Sequence, residues 1–207
     1  MRFDSALVLR TLMEPKSSRA VANLAWLWRR PAHGLQALLV TDLEAFTSWV
    51  SKLGDTQARL WMREHNRIVR AVIEGAGGHE VAHTGDGVIA SFRSVHDALH
   101  CAQQIHRSLA EYSQRGAHAP FVARIGVHAG EPLPEEGRLI GSCVNAAVRV
   151  CGTAKPGSTL VTEVVRQLAQ GHTFEFAERG ESDLKGLGGS FKLYEPLERS
   201  PRLAAPI

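Results

Sequence analysis

The stretch HEVAHTGDGVIASF, residues 79–92, decides how the rest of the chain is read. Its two β-rich runs, HEVAHT and VIASF, flank Gly85-Asp86-Gly87. Glycine enters positive φ without steric cost, so this spacing predicts a tight hairpin. Asp86 then stands at the tip, either as a turn former or as a carboxylate aimed at something.

Working outward, LQALLVT (35–41) reads as a buried strand, and the run from Asp55 to Gly78 as a helix capped by Asp55 and closed by glycines. From Ser94 a Ser-x-x-Asp pattern resembles a capping box, and Val95, Leu99, Ala102, Ile105 and Leu109 keep helical spacing. FVARIGVHAG (121–130) closes the set as a further strand. Strand, helix, strand, strand, helix, strand is the split βαβ order of an α+β, ferredoxin-like βαββαβ core. In that topology the third strand lies antiparallel between the first two, so the end of the first strand meets the start of the third. Those ends carry Asp42 and Asp86. Taken singly, Asp42 is a helix cap and Asp86 a turn residue. Taken together, two like charges at one sheet edge repel unless a cation sits between them, and magnesium is a natural occupant for oxygen ligands.

The 207 residues, 44% hydrophobic, suffice for one sizeable core and leave no room for a second large domain. The longest apolar run, AVANLAWLW at 20–28, is shorter than the roughly 20 residues a bilayer span needs. The N-terminus lacks a signal-peptide pattern, and the reading is a soluble, cytoplasmic chain with no transmembrane segment. Cys101, Cys143 and Cys151 are spaced neither as a zinc knuckle nor as a redox pair, which suits reduced structural cysteines. A net charge of +3 accommodates an anionic ligand and is too small and dispersed for nucleic acid. The break at RRPAHG divides the chain into an N-terminal helical segment and linker (1–34), a main domain (35–197) and a tail (198–207). The first segment is basic and carries Trp26 and Trp28; a packing or dimerisation helix is preferred for it over a membrane-surface one.

These residues carry a resemblance to the class III nucleotidyl cyclases. LLVTDLEAFT resembles their first metal-binding segment, F-x-D-I-x-G-F-T, and HTGDG their second, K-x-x-G-D. IGSCVNAAVRV is similar to their G-x-x-V-N-x-A-x-R helix, ARIGVHAG to their R-x-G-x-H-x-G strand, and DLKGLGGSFKLYE to their closing L-K-G turn. The motifs run in the family's order through residues 36–197. The resemblance implies a cyclase core with a C-terminal αβ extension. It also implies conversion of a nucleoside triphosphate, ATP first, to a 3′,5′-cyclic nucleotide and pyrophosphate with two Mg2+ or Mn2+ ions. By the same resemblance Asp42, the Leu43 carbonyl and Asp86 hold metal, and Asn145 and Arg149 orient the ribose and stabilise the transition state. Phe46 and Thr47 of the first turn, with Arg124 and Lys185, bind phosphates. The family's active sites lie at a homodimer interface, aspartates from one chain and Asn and Arg from the other.

Three positions depart from the family. Ala45 replaces a glycine, and the two base-reading positions hold Ala82 and Arg138. Arginine only donates hydrogen bonds, so Arg138 suits a carbonyl such as guanine O6 or a pyrimidine oxygen better than the adenine amine. Cyclases of other base specificity (cGMP, cUMP or cCMP) therefore stay open beside ATP, as does a regulatory module that binds nucleotide without turnover. His96 and His100, at i and i+4 with Cys101 adjacent, have the spacing of a helical zinc pair but no evident third ligand. His79 and His83 read as ordinary half-buried sheet residues.

Overall fold

A computed structural model describes residues 34–115, 119–135, 138–170, 174–184 and 186–198. They belong to one unit, His33–Ile207. The helices expected in the N-terminal segment, the tail beyond Glu198 and Lys185 lie outside the described residues.

The expected hairpin is present as β2 (His79–His83) and β3 (Val88–Phe92). Gly85 takes φ 95°, as a turn requires, whereas Gly87 is needed for another reason. A Cβ on Gly87 would stand 2.0 Å from the Thr41 carbonyl oxygen, so the turn lies against the strand β1 (Gln36–Leu43). β3 pairs antiparallel with β1, with Val40 opposite Ile89, and just beyond that pair the Val88 N–H donates to Thr41 Oγ1 at 3.0 Å. On the other side β1 runs antiparallel to β4 (Ala123–Gly130). The strand order β2-β3-β1-β4 is the expected ferredoxin-like core.

The sheet does not stop there. β4 continues in parallel into β7 (Thr159–Thr162), and then β9 (Ser190–Glu198) and β8 (Phe174–Asp183) complete seven strands. A separate pair, β5 (Leu133–Glu135) and β6 (Arg138–Ile140), forms a short arm after β4. The C-terminal extension thus adds to the same sheet rather than forming a layer of its own.

β1 is buried on both faces, and its side chains alternate. Ala37, Leu39 and Leu43 join the core under α1 (Phe46–Gly75) and α2 (Val95–Gln114), while Leu38 and Val40 join the cluster under α3 (Ser142–Thr153). Val165 of the short α4 (Glu163–Leu168) belongs to the first core. Period two therefore turns Asp42 toward the α3 side. α2 begins as read, with Ser94 Oγ accepting the Asp97 N–H at 3.2 Å and Leu99, Ala102, Ile105 and Leu109 buried.

α1 starts earlier than expected. It runs from Phe46, with a kink at Gly54 (φ 73°, ψ 160°), and ends at Gly75 instead of Gly78. Phe46, Trp49 and Leu53 pack on the core, and that i, i+3, i+7 stripe carries the helix through the segment before Asp55.

Candidate active site

α3 is seated directly on β4. A Cβ on Gly126 would meet the Cys151 backbone nitrogen at 2.2 Å, and one on Gly130 would meet the Cys143 Cβ at 2.6 Å. The two glycines of the G-x-H-x-G strand are therefore a groove for a helix backbone. Between them His128 Nδ1 pairs with Thr162 Oγ1 at 2.9 Å. Cys143, Val144, Ala146, Ala147, Val150 and Cys151 form the buried face of α3, so the opposite face presents Asn145, Val148, Arg149 and Gly152 to solvent. Val148, three residues on from Asn145, shares that solvent-facing side of the helix and is 38% exposed.

At the C-terminal end of α3 a cleft of about 470 Å³ opens between the helix, the end of β1 and the hairpin tip. Asp42, Thr84, Asp86, Arg149, Thr153 and Asp183 are among its lining residues. The two aspartates read from the sequence thus share one cavity. Cys151, beneath them, has its thiol pushed up to about 12 by burial, with the charges of Asp42 and Asp86 acting in the same direction. Asp42 also has a partner. In the β1–β4 register it stands opposite Arg124, whose Nε donates to Asp42 Oδ2 at 2.7 Å and whose second guanidinium nitrogen lies at 2.5 Å. The pair is partly solvated, and the bond to Asp42 raises the pKa of Arg124 further.

Leu43 is buried at the strand end. Ala45 then adopts φ 56°, ψ 24°, the only non-glycine residue with positive φ among those described. Alanine here holds a glycine's conformation, at about 1–2 kcal/mol. Phe46 and Thr47 open α1, whose N-terminus has no side-chain cap, and first-turn amides of a helix have no intrahelical partner. Asn145, one turn before Arg149, is exposed and not among the lining residues of the cleft. Ala82 and Leu139 of the β5–β6 arm both pack against the cluster under α3, and Arg138 is exposed on the same arm.

Asp183, Thr84 and Thr153 line the cleft beside the residues read from the sequence. Asp183 opens the L-K-G turn, and Leu184, buried in a cluster with Val150 and Leu193, anchors that turn beside α3. The signal was the quoted turn itself, but only the docking of Leu184 makes its neighbour a cleft residue.

Two carboxylates on one cleft suit a hard divalent cation. Among the described residues no group of three or more His, Cys, Asp or Glu side chains could hold a metal. Asp42 and Asp86 would therefore share an ion with water and a ligand's oxygens, the arrangement magnesium favours.

A profile described as the adenylate and guanylate cyclase catalytic domain matches residues 31–195, and the chain belongs to that family. Over 155 residues it is 24% identical to a putative adenylate cyclase 3 of Rhizobium meliloti, covering 74% of this chain and 26% of that one. The chain thus spans about a quarter of the length of that curated relative. Among solved structures, an adenylate/guanylate cyclase/hydrolase from Silicibacter pomeroyi superposes with a TM-score of 0.67 at 25% identity, covering 81% of this chain and 99% of that one. The guanylate cyclase domain of RhGC from Catenaria anguillulae, solved in complex with GTP, shares the fold at TM-score 0.70 and 18% identity, covering 80% and 97% of the two chains. Among the described residues no helix is long and apolar enough to cross a membrane.

Proposed function

We infer that this chain is a cytoplasmic nucleotidyl cyclase whose domain, residues 35–197, converts a nucleoside triphosphate to a 3′,5′-cyclic nucleotide and pyrophosphate. The observation that carries the reading is the meeting of Asp42 and Asp86 at the ends of adjacent strands, on one cleft. The ribose 3′-hydroxyl gives up its proton to solvent, its oxygen attacks the α-phosphorus, and the bond to the bridging oxygen breaks, so that pyrophosphate carries away the electron pair. Asp42, Asp86 and the Leu43 carbonyl would hold two Mg2+ or Mn2+ ions, which would acidify the hydroxyl and neutralise charge at the leaving group. Arg124 pairs with Asp42 and would be released toward the triphosphate if a cation took its place on that carboxylate. Phe46 and Thr47 offer backbone amides, and Lys185 its ammonium, to the β- and γ-phosphates. Arg149 stabilises the transition state, a role worth roughly 10³-fold in rate for arginines so placed.

Arg149 borders its own chain's cleft, whereas Asn145, exposed one turn earlier on the same helix, is not among the residues that line it; a homodimer in which the α3 face of one chain closes the cleft of the other would bring both to the partner's aspartates. ATP is the leading substrate as the most abundant triphosphate. Alanine at position 82 offers no hydrogen-bonding side chain to a base, and base choice rests on Arg138 and on shape. A second reading, a nucleotide-binding module without turnover, draws support from Ala45 in the glycine conformation.

Incubating the purified chain with ATP, GTP, CTP or UTP and Mn2+ or Mg2+ tests the reading, with cyclic product expected from one of them and none expected from a module. Mixing Asp42→Ala with Arg149→Ala protein tests the shared site. Random exchange makes about half the dimers mixed with one intact site each, so activity recovers to roughly a quarter of wild type. No recovery despite demonstrated subunit exchange would mean that each chain carries its own complete site.

A further inference from the structure

The Asp42–Arg124 pair is a product of strand register. In the antiparallel β1–β4 ladder the two residues stand directly opposite each other, where side chains of one face meet with about 4.5–5.5 Å between Cβ atoms. Both guanidinium contacts, at 2.7 and 2.5 Å, fall on the same carboxylate oxygen, Oδ2. Neither backbone is free to withdraw. The ladder continues on both sides of the pair, through Thr41–Ile125 and Leu43–Ala123, and the Cys151 thiol donates to the Arg124 carbonyl at 3.4 Å. The side chains of Arg124 and Asp42 are 32% and 26% exposed, so ligands in the cleft reach them. Asp86, on the same cleft, makes no salt bridge among the described residues. One of the two candidate metal carboxylates is therefore held and the other is open.

We propose, on the reading of this cleft as a cyclase site, that the Arg124–Asp42 pair makes the binding of metal and of triphosphate conditional on each other. A divalent cation on Asp42 needs the oxygen that Arg124 occupies. Binding of a cation alone must break the pair and leave a half-buried guanidinium, whose five N–H groups are all donors, without an acceptor. Binding of a triphosphate alone must draw Arg124 away and leave Asp42 bare beside Asp86 and the incoming phosphates, which crowds like charges into one cleft. When both are present, Asp42 and Asp86 share the cation and Arg124 forks onto the phosphate oxygens, so each ligand removes the cost of the other. Coupling of this kind is reciprocal, and its usual size is about 5–150-fold in affinity. The cleft thus resists free cations and fills with metal and nucleotide together.

Mn2+ binding to the nucleotide-free full-length protein, followed by the paramagnetic resonance of the free ion, reads this lock without turnover. Arg124→Met, checked for folding by circular dichroism, is expected to bind Mn2+ at least about fivefold more tightly than wild type. Arg149→Met removes an arginine of the same cleft that has no bond to Asp42 among the described residues, and as the control for lost positive charge it should tighten binding less. In 15N-labelled wild-type protein the Arg124 Nε–H resonance, assigned by its loss in Arg124→Lys, should shift when Mg2+ and inorganic tripolyphosphate are added together and stay in place with either alone. This readout stands even if the methionine variant fails to fold. Mn2+ binding that Asp86→Ala abolishes, yet that Arg124→Met tightens no more than Arg149→Met, overturns the proposal and leaves the cyclase reading standing. So does an Arg124 resonance that one ligand moves alone or that both together leave in place. No aspartate-dependent Mn2+ binding by any of these proteins overturns the reading of the cleft and the proposal with it.

Discussion

Gly126→Ala tests the seating that positions Asn145 and Arg149. The added methyl would lie 2.2 Å from the Cys151 nitrogen, 2.6 Å from its Cα and 2.8 Å from the Ala147 carbonyl oxygen, all backbone atoms. No rotamer change relieves such a contact, so α3 must move outward by about 1 Å or more to restore van der Waals separation. Overpacking a core costs typically 1–3 kcal/mol, and a clash with backbone belongs at or above the top of that range. Because the helix carries the predicted catalytic pair, the same shift should lower turnover by roughly 10²-fold. Gly152→Ala is the control: it sits in the same helix with nothing within 4 Å of a new Cβ. It should be neutral or stabilising by up to about 1 kcal/mol. Urea melts of both variants, with cyclase assays of Gly126→Ala on the preferred nucleotide, decide the matter. A Gly126→Ala protein within about 0.5 kcal/mol of wild type and fully active would refute the seating of α3 on β4.

Ala45→Gly should stabilise the domain by about 1 kcal/mol, since relief of the left-handed strain exceeds the entropy glycine adds to the unfolded chain; calorimetry would show a Tm rise of about 2–4 °C. Asp42→Ala and Asp86→Ala should each abolish metal-dependent turnover with near-native circular dichroism, because Arg124 keeps access to solvent once unpaired; near-wild-type activity in either would remove it from the metal site. Arg138→Ala should reorder the triphosphates more than it slows the best one, and an unchanged profile would place Arg138 outside the base pocket. His65 is fully buried with no hydrogen-bond partner for Nε2 among the described residues, and burial holds its pKa below the ordinary 6.5, against the opposing hydrogen bond to Asn66. The unfolded chain therefore takes up the proton first, and stability should fall as pH drops below about 6.5, by up to about 1.4 kcal/mol per pH unit from this group. His106 and His128, also lowered by burial, act in the same direction. Urea midpoints from pH 7.5 to 5.5 should show His65→Leu losing part of the slope; an identical slope would show that His65 is not the buried neutral group.

What the chain's own order determined was local and periodic. The Gly85-Asp86-Gly87 turn, the capped and striped α2, and the alternation in β1 each depend on neighbours within a few residues, so a hairpin and its flanking elements could be read directly. Once the strand order was known, the meeting of Asp42 and Asp86 followed, because topology alone brings those ends together. The family motifs added candidate roles but no contacts. Only tertiary structure decided that Arg124 lies on Asp42, that Gly126 and Gly130 form the bed of α3 and that Asp183 lines the cleft. The placement of β7, β8 and β9 in the same sheet belongs there too. Each of these rests on register between distant strands or on the height at which a helix meets a sheet. Such quantities are set by close packing of many side chains at once, and no periodicity in the sequence records them.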